Sequence, residues 1–562
     1  MSDFMKRYEQ WLASSAVDEA TKEELRALRD NPKEIEERFY KDLEFGTGGL
    51  RGVLGAGTNR MNVYTVRRAT QGLVNYLILK DPEARTKGIA IAYDSRHLSD
   101  VFARETAAVA NANGMKAYVF DSLRPTPELS FAIRELGCKG GVVLTASHNP
   151  SKYNGYKAYW EDGCQVPPPM DSEIIREVDK VDLFEGVKAM PRKEAEKAGL
   201  YIELGKEMDD KFIAAATACM IDKEAVKQCG KDLKIVYTPL HGAGLMPVTR
   251  ALAEAGFTNV YVVPSQAQPD GDFPTAPFPN PEFPSVFEPG IQLSEEVGGD
   301  ILIATDPDAD RMGVMVKTKD GYRHFTGNMT GCLLLSYILE ARRKTGTLQD
   351  DAFAVKTIVT TEMGRAIAQD YGIELREVLT GFKYIGEQIT RSEQTGKGHY
   401  VFGFEESFGY LCGTYARDKD SVSAALMISE MAAIYKAKGM TMMDALEEIY
   451  QKYGYYKETL VSLTFEGMEG VAKIKGLMED LRNHPKDSYA GLKVLEIKDY
   501  SGGIDGLPKS NVLRFSLEKN CWFCARPSGT EPKIKFYFGV KGTSLADAEA
   551  MAKALEAEVV PQ

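Results

Sequence analysis

The sequence predicts an α/β protein: three related α/β domains with mixed, largely parallel sheets, followed by a smaller α+β domain at the C-terminus. Three observations predict it. At 562 residues the chain exceeds what one hydrophobic core supports. Short apolar runs with strand character alternate with helical segments along most of its length. The segments richest in reactive side chains, GVVLTASHN, ILIATDPDADR and YVFGFEES, each lie just beyond such a run. Ligands of open α/β sheets bind beyond the carboxyl ends of the strands, so three such ends would line one central cleft.

The first forty residues are helical in pattern. Thr21-x-x-Glu24 fits a capping box opening a helix through Leu25 and Leu28, and Pro32 restarts the next helix. Strand candidates follow in three sets: 88–93, 117–120 and 141–144; 234–237, 259–263 and 300–304; 354–360, 374–379 and 400–404. Helices are expected between them, for example over 101–113 and 247–255. The proline-dense stretch 264–289 reads as a long surface loop within the second domain. From about Gly454 the pattern changes to strands over 459–464, 512–516 and 533–540 with helices between. The divisions expected are 1–205, 206–322, 323–455 and 456–562.

Composition narrows the function classes. Lys and Arg number 69 against 81 Asp and Glu, a net charge of −12, so the chain has no electrostatic reason to seek nucleic acid or an anionic membrane. The stretch from Met1 to Gln10 has no apolar run resembling a signal peptide, and no window approaches a membrane span. Eight cysteines are scattered from Cys138 to Cys524 without framework spacing, as expected of thiols in a cytoplasmic protein. Cys521 and Cys524 form a C-x-x-C without a matching second pair, which reads as buried thiols near a strand.

The strongest local signal is Asp306-Pro307-Asp308-Ala309-Asp310-Arg311. Three carboxylates at i, i+2 and i+4 repel one another unless a cation offsets them, and hard oxygen ligands suit Mg²⁺ or Mn²⁺. EF-hand spacing is excluded, because its sixth position would be Arg311 and its twelfth Lys317. A solvated acidic turn is the bland alternative. Ser147, in Thr145-Ala146-Ser147-His148-Asn149-Pro150, is a candidate nucleophile outside any G-x-S-x-G elbow, and a turn-forming serine otherwise. Arg526-Pro527-Ser528-Gly529-Thr530-Glu531-Pro532-Lys533 offers a guanidinium fork, hydroxyls and an approachable backbone, a phosphate cradle or else a polar turn. GTGGLRG around Arg51 matches neither Walker A nor G-x-G-x-x-G, and Glu405, Glu406 and Ser407 would suit sugar hydroxyls or solvent alike.

Together, and in this order, TASHNP, DPDADR, GFEES and RPSGTEPK resemble the phosphoserine, metal, sugar-binding and phosphate-binding loops of the α-D-phosphohexomutase superfamily. The resemblance implies that Ser147 carries a phosphoryl group, and that Asp306, Asp308 and Asp310 hold one Mg²⁺ together with a phosphoserine oxygen. It implies catalytic roles for Arg51, His148, Lys157 and Lys419, the last of which also lines the sugar site with Thr380 and Gly381. Arg311 follows the metal loop as in the family. Glu405 and Ser407 would bind sugar hydroxyls, and Arg526, Ser528, Gly529, Thr530 and Lys535 the phosphate that is not transferred. The C-terminal domain would close over the cleft and exclude water.

The reaction so implied is interconversion of glucose 1-phosphate and glucose 6-phosphate, with glucose 1,6-bisphosphate as intermediate and activator. Phe408-Gly409 after Ser407 resembles the glucose-preferring members, which differ here from those that also take mannose. Phosphomannomutase or phosphopentomutase activity, glucose-1,6-bisphosphate synthesis, a phosphatase and a non-catalytic binding protein are the alternatives. The partner is a small phosphosugar, and the chain a monomer or homodimer.

Overall fold

Strands 89–93 and 140–144 are Ile-, Val- and Ala-rich without polar alternation, which is what a strand covered on both faces requires. In the computed structural model, which describes residues 2–46, 48–465, 467–528 and 533–561, they are the buried centre of a mixed six-stranded sheet. Its members are β1 (Gly49–Val53), β2 (Ile89–Tyr93), β3 (Ala117–Phe120), β4 (Gly140–Leu144), β5 (Tyr153–Trp160) and β6 (Tyr201–Leu204), in the order β1-β5-β4-β2-β3-β6. The pairs among β4, β2, β3 and β6 are parallel, whereas β5 runs antiparallel to both β4 and β1. A second sheet has the order β11-β10-β9-β7-β8 from β7 (Ile235–Thr238), β8 (Val260–Val262), β9 (Ile301–Thr305), β10 (Met312–Thr318) and β11 (Gly321–Phe325). Here β7 is parallel to β8 and β9, and β10 is antiparallel to β9. These two sheets belong to one compact unit, spanning Met1–His324, Ile385–Thr395 and Gly409–Ile434.

The other unit spans Phe325–Tyr384, Gly396–Phe408 and Tyr435–Gln562. It contains the parallel strands β12 (Ala352–Thr357), β13 (Glu374–Val378) and β14 (His399–Phe404), after which the chain returns to the first unit with β15 (Tyr410–Leu411). The C-terminal sheet is antiparallel, in the order β16-β21-β20-β19-β18-β17, from β16 (Tyr455–Thr464), β17 (Ser488–Tyr489), β18 (Leu492–Asp499), β19 (Leu513–Leu517), β20 (Trp522–Pro527) and β21 (Lys533–Gly542). Ile474 and Met478 of one helix, and Ala548, Ala552 and Leu555 of another, close its apolar core. Within this unit Ile358, Val359 and Leu379 share a second apolar cluster with Tyr500, Val512, Trp522 and Tyr537. Beside it the buried Lys356 bonds Glu362 at 3.1 Å and Glu377 at 2.7 Å, and Arg514 bonds Glu362 at 2.7 Å. Apolar contact and paired charge thus tie the third α/β sheet to the C-terminal one.

Three expectations change. The second helix begins at Glu19, not Thr21, because the Asp18 carboxylate accepts from the Thr21 amide at 2.9 Å and is the stronger cap. The proline-dense stretch is more than a surface loop: Phe273, Ala276, Val286 and Phe287 are buried in it, and a helix starts at Glu288. Strands β1 and β5 were hidden in GLRGV and YNGYKAYW, where glycine interrupts the apolar pattern. Cys521 and Cys524 are buried free thiols, as expected.

Candidate active site

Just after β4 the backbone at Ser147 turns into the left-handed region, φ 53°, which a non-glycine residue holds only when its surroundings enforce it. The Ser147 amide donates to Thr145 Oγ1 at 2.8 Å, and that hydroxyl donates to Asp94 Oδ2 at 2.6 Å. The turn aims Ser147 Oγ at Asp306 Oδ2, 2.8 Å away, with His148 Nδ1 at 3.2 Å. A hydroxyl has one proton; if it goes to Asp306, the contact with His148 needs the ring proton on Nδ1. Burial, then the nearby Arg311 and Arg51, hold the His148 pKa well below that of free imidazole, so this ring is neutral.

The triple-aspartate loop follows β9. Asp306, Asp308 and Asp310 are all buried, and one carboxylate oxygen of each lies within 4.8 Å of the others. Ala309 takes φ 51°, while the Asp310 and Arg311 amides donate to Asp306 Oδ1 at 3.1 and 3.0 Å. Thr126 binds Asp308 twice, through Oγ1 to Oδ2 at 2.8 Å and through its amide to the carbonyl at 2.9 Å. Lys157 Nζ reaches Asp308 at 2.7 Å and Asp310 at 3.2 Å, and Lys419 Nζ reaches Asp310 at 3.1 Å. Arg311 bonds Glu282 at 2.6 Å.

Burial, then repulsion from Asp308 and Asp310, raises the Asp306 pKa well above the ordinary carboxylate range. Asp310 goes the other way: burial pushes its pKa up, but Lys157, Lys419 and Arg311 outweigh that and hold it low. Among the described residues, Oδ1 of Asp308 and Oδ1 of Asp310 are buried without a hydrogen-bond partner. Orphaned carboxylate oxygens converging with a third carboxylate fit a hard divalent cation, so these three residues could hold a metal ion.

The loop is also shaped from behind. The Ala243 amide donates to the Pro307 carbonyl at 2.8 Å, and a Cβ on Gly242 would meet Pro307 Cα at 2.4 Å. Both contacts are backbone and cannot swing aside. Gly242→Ala should therefore destabilise the protein by about 1–3 kcal/mol, read by chemical denaturation. An unchanged midpoint would mean that the loop relaxes freely.

Two predicted residues sit on neighbouring strands, not on loops: in β1 and β5, Arg51 is in register with Gly155, and Lys157 with Gly49. In the second unit, Gly381 takes φ 123°, open to glycine alone, and its amide donates to Glu405 Oε1 at 2.9 Å. Thr380 precedes it, and Ser407 lies half-buried on the turn after β14. Glu406 is tied to the sheet instead, accepting from Thr357 and Thr360 hydroxyls at 3.1 and 3.0 Å. Arg526 and Lys535 are direct cross-strand partners in β20 and β21. Like charges placed opposite are unfavourable unless they share an anion, which suits a phosphate site. The Ser528 amide donates to the Lys533 carbonyl at 2.7 Å. Gly529 and Thr530 lie outside the described residues. The predicted residues therefore gather in two groups, one around Ser147 with Arg51, His148, Lys157, Asp306, Asp308, Asp310, Arg311 and Lys419, the other within the second unit.

Asp94, Arg96 and Thr126 went unnoticed in the sequence. Their only signal is position: Asp94-Ser95-Arg96 lies directly beyond β2, as TASHN lies beyond β4.

Comparison with known proteins places similar chains around these features. Residues 42–185, 210–321 and 326–453 match phosphoglucomutase/phosphomannomutase alpha/beta/alpha domains I, II and III, respectively. A phosphoglucomutase of Staphylococcus saprophyticus is 36% identical over 519 residues, covering 90% of this chain and 91% of its own. That of Staphylococcus aureus is 34% identical over 548 residues, covering 94% and 95%. Two solved structures share the fold: pp63/parafusin (phosphoglucomutase) from Paramecium in its open form, TM-score 0.69 at 20% identity, covering 92% of this chain and 93% of that one; and a phosphoglucomutase/phosphomannomutase family protein from Burkholderia thailandensis, TM-score 0.65 at 18% identity, covering 91% and 97%.

Proposed function

Because the chain belongs to the phosphoglucomutase/phosphomannomutase family of the α-D-phosphohexomutase superfamily, we propose that it interconverts glucose 1-phosphate and glucose 6-phosphate through phosphorylated Ser147. The observation that carries the proposal is the 2.8 Å approach of Ser147 Oγ to Asp306, inside a loop of three buried carboxylates. A phosphoryl group on that oxygen would be dianionic and would need the cation that those carboxylates fit. Bound there, Mg²⁺ would supply the positive charge that phosphoryl transfer requires.

The chain's own groups do the rest. The free hydroxyl of the sugar monophosphate attacks phosphorus; the bond to Ser147 Oγ breaks as the bond to the sugar forms, and glucose 1,6-bisphosphate results. The hydroxyl loses its proton and Ser147 Oγ gains one, so a proton carrier must be at hand. His148, neutral and 3.2 Å from Oγ, and Lys419 are the candidates. Arg51 and Lys157 would stabilise the transferring group. The second half-reaction returns the other phosphate to Ser147. Glu405, Ser407, Thr380 and Gly381 would orient the sugar, while Arg526, Ser528 and Lys535 would bind the phosphate that is not in flight.

Glucose is favoured over mannose and pentose because Phe408-Gly409 follows Ser407, and because the curated relatives named above are phosphoglucomutases. The proposal extends to a cytoplasmic monomer or homodimer, a setting that agrees with eight free thiols and with no helix among the described residues long and apolar enough to cross a membrane. A coupled assay with Mg²⁺ across glucose, mannose and ribose phosphates tests it. The glucose pair should turn over fastest. Equal rates on all three would sink the preference, phosphate release matching isomer formation would indicate a phosphatase, and dependence on 1,3-bisphosphoglycerate a bisphosphate synthase.

A further inference from the structure

We propose that Arg96 is a positioning residue that sets the shape of the loop carrying Ser147, clamped in place by Asp94 and by the ring of Phe273; the proposal rests on the phosphoserine reading above. One guanidinium engages four carbonyl oxygens of that loop. Nη2 donates to Ser147 and Asn149, and Nη1 to Pro150 at 3.0 Å and Tyr153 at 3.1 Å. On its other side Nε lies 3.3 Å from Asp94 Oδ2, and the Phe273 ring faces Cζ at 5.0 Å. Arg96 is 3% exposed, Asp94 2% and Phe273 not at all, so water cannot take over any of these contacts.

The bonds form a closed circuit through Ser147 itself. Its amide donates to Thr145 Oγ1, that hydroxyl donates to Asp94, Asp94 pairs with Arg96, and Arg96 donates to the Ser147 carbonyl. Both peptide groups flanking the 53° φ angle are therefore fastened to one carboxylate–guanidinium pair, which is what a strained serine needs to keep one geometry. Asp94 also accepts from the Ser99 hydroxyl at 2.8 Å and the Arg96 amide at 3.0 Å, so the pair is itself fixed. Phe273 comes from the proline-dense segment of the second sheet's domain, the same segment whose Glu282 holds Arg311 beside the aspartate loop. The segment thus touches both the Ser147 loop's brace and the carboxylate loop.

The charges decide what kind of residue this is. Arg96 and Asp94 cancel, so the pair adds no net charge for a phosphate to feel, and shaping is what remains. A lysine would keep the charge yet has no planar fork to span four acceptors. Arg96→Lys should then lower kcat about a hundredfold with KM little changed, the penalty for a nucleophile displaced by about an ångström. Phe273→Leu, which leaves every donor in place, should lower kcat less, again without moving KM. Hydrogen–deuterium exchange across 145–154 should quicken in both variants while the melting temperature of Phe273→Leu stays near that of the wild type. Near-wild-type kcat in Arg96→Lys would overturn the proposal, since a point charge would then suffice. Should Arg96→Lys fail to fold, Phe273→Leu decides: unchanged kcat and exchange overturn the proposal, and altered values in both support it. If the wild-type chain itself shows no mutase activity, the functional reading fails, whereas the exchange measurement still decides whether the brace holds the loop.

Discussion

Replacing Ser147 by alanine should reduce isomer interconversion by a factor on the order of 10⁴ or more, because the covalent carrier is gone and no neighbouring group can substitute for it. His148 is neutral, and its Nδ1 lies 3.2 Å from the oxygen that alanine removes. Asp306 is committed to the Asp310 and Arg311 amides through its other oxygen. The fold should survive. Alanine and serine suffer alike in the left-handed region, and the amide and carbonyl of residue 147 keep Thr145 and Arg96. The loss is the hydrogen bond to Asp306 and the 3.2 Å contact with His148, together about 1–3 kcal/mol. The measurement is a coupled assay paired with thermal melting, with glucose 1,6-bisphosphate added to show that an activator does not restore turnover. A folded variant within about tenfold of the wild-type rate would mean that phosphate moves without Ser147.

Why the serine and the aspartates could be read in advance, and Arg96 could not, has a physical reason. Asp306, Asp308 and Asp310 are four residues apart at most, and three clustered carboxylates make little sense without a cation. Arg96 meets its acceptors 51 to 57 residues away, and Thr126 meets Asp308 182 residues away. Neither residue type is unusual beside a strand, so only tertiary geometry discloses them. Short continuous apolar runs sufficed for β2, β4 and β9, whereas the glycines of β1 and β5 hid the strands bearing Arg51 and Lys157. Those two residues were legible through family resemblance alone. The pairing of the third α/β sheet with the C-terminal sheet in one unit was not legible at all. It depends on Ile358 and Leu379 meeting Trp522 and Tyr537, contacts between segments that local periodicity treats as independent cores. The proline-dense segment misled for the opposite reason: its composition is that of a loop, yet Phe273 is carried inward to cover Arg96.

Asp306→Asn should leave the protein at least as stable as wild type in chelated buffer while removing its response to Mg²⁺. Two like charges about 4 Å apart repel by about 4 kcal/mol at an effective dielectric of about 20, and Asp306 faces two carboxylates with oxygens within 4.8 Å. Lys157 and Lys419 pair with Asp308 and Asp310, and no lysine pairs with Asp306 among the described residues. Burial, then those two carboxylates, therefore raises its pKa. A group whose pKa is higher folded than unfolded favours the fold at low pH and loses that contribution as pH climbs through the folded value. The advantage of asparagine should accordingly grow from acid to neutral pH. Its amide oxygen can keep the Asp310 and Arg311 amides, and its NH₂ can donate to Ser147 Oγ, so packing is preserved. With Mg²⁺ at about one hundred times Kd the wild type should gain about 2.7 kcal/mol, and the variant little. Mutase activity should fall by a factor on the order of 10³, the scale for losing a charge aimed at the transition state. Melting curves with chelator and with Mg²⁺, repeated across pH, separate the two effects. A variant melting well below wild type in chelator would show that the aspartate is there to hold the fold, and one that answered Mg²⁺ like wild type would remove Asp306 from the metal site.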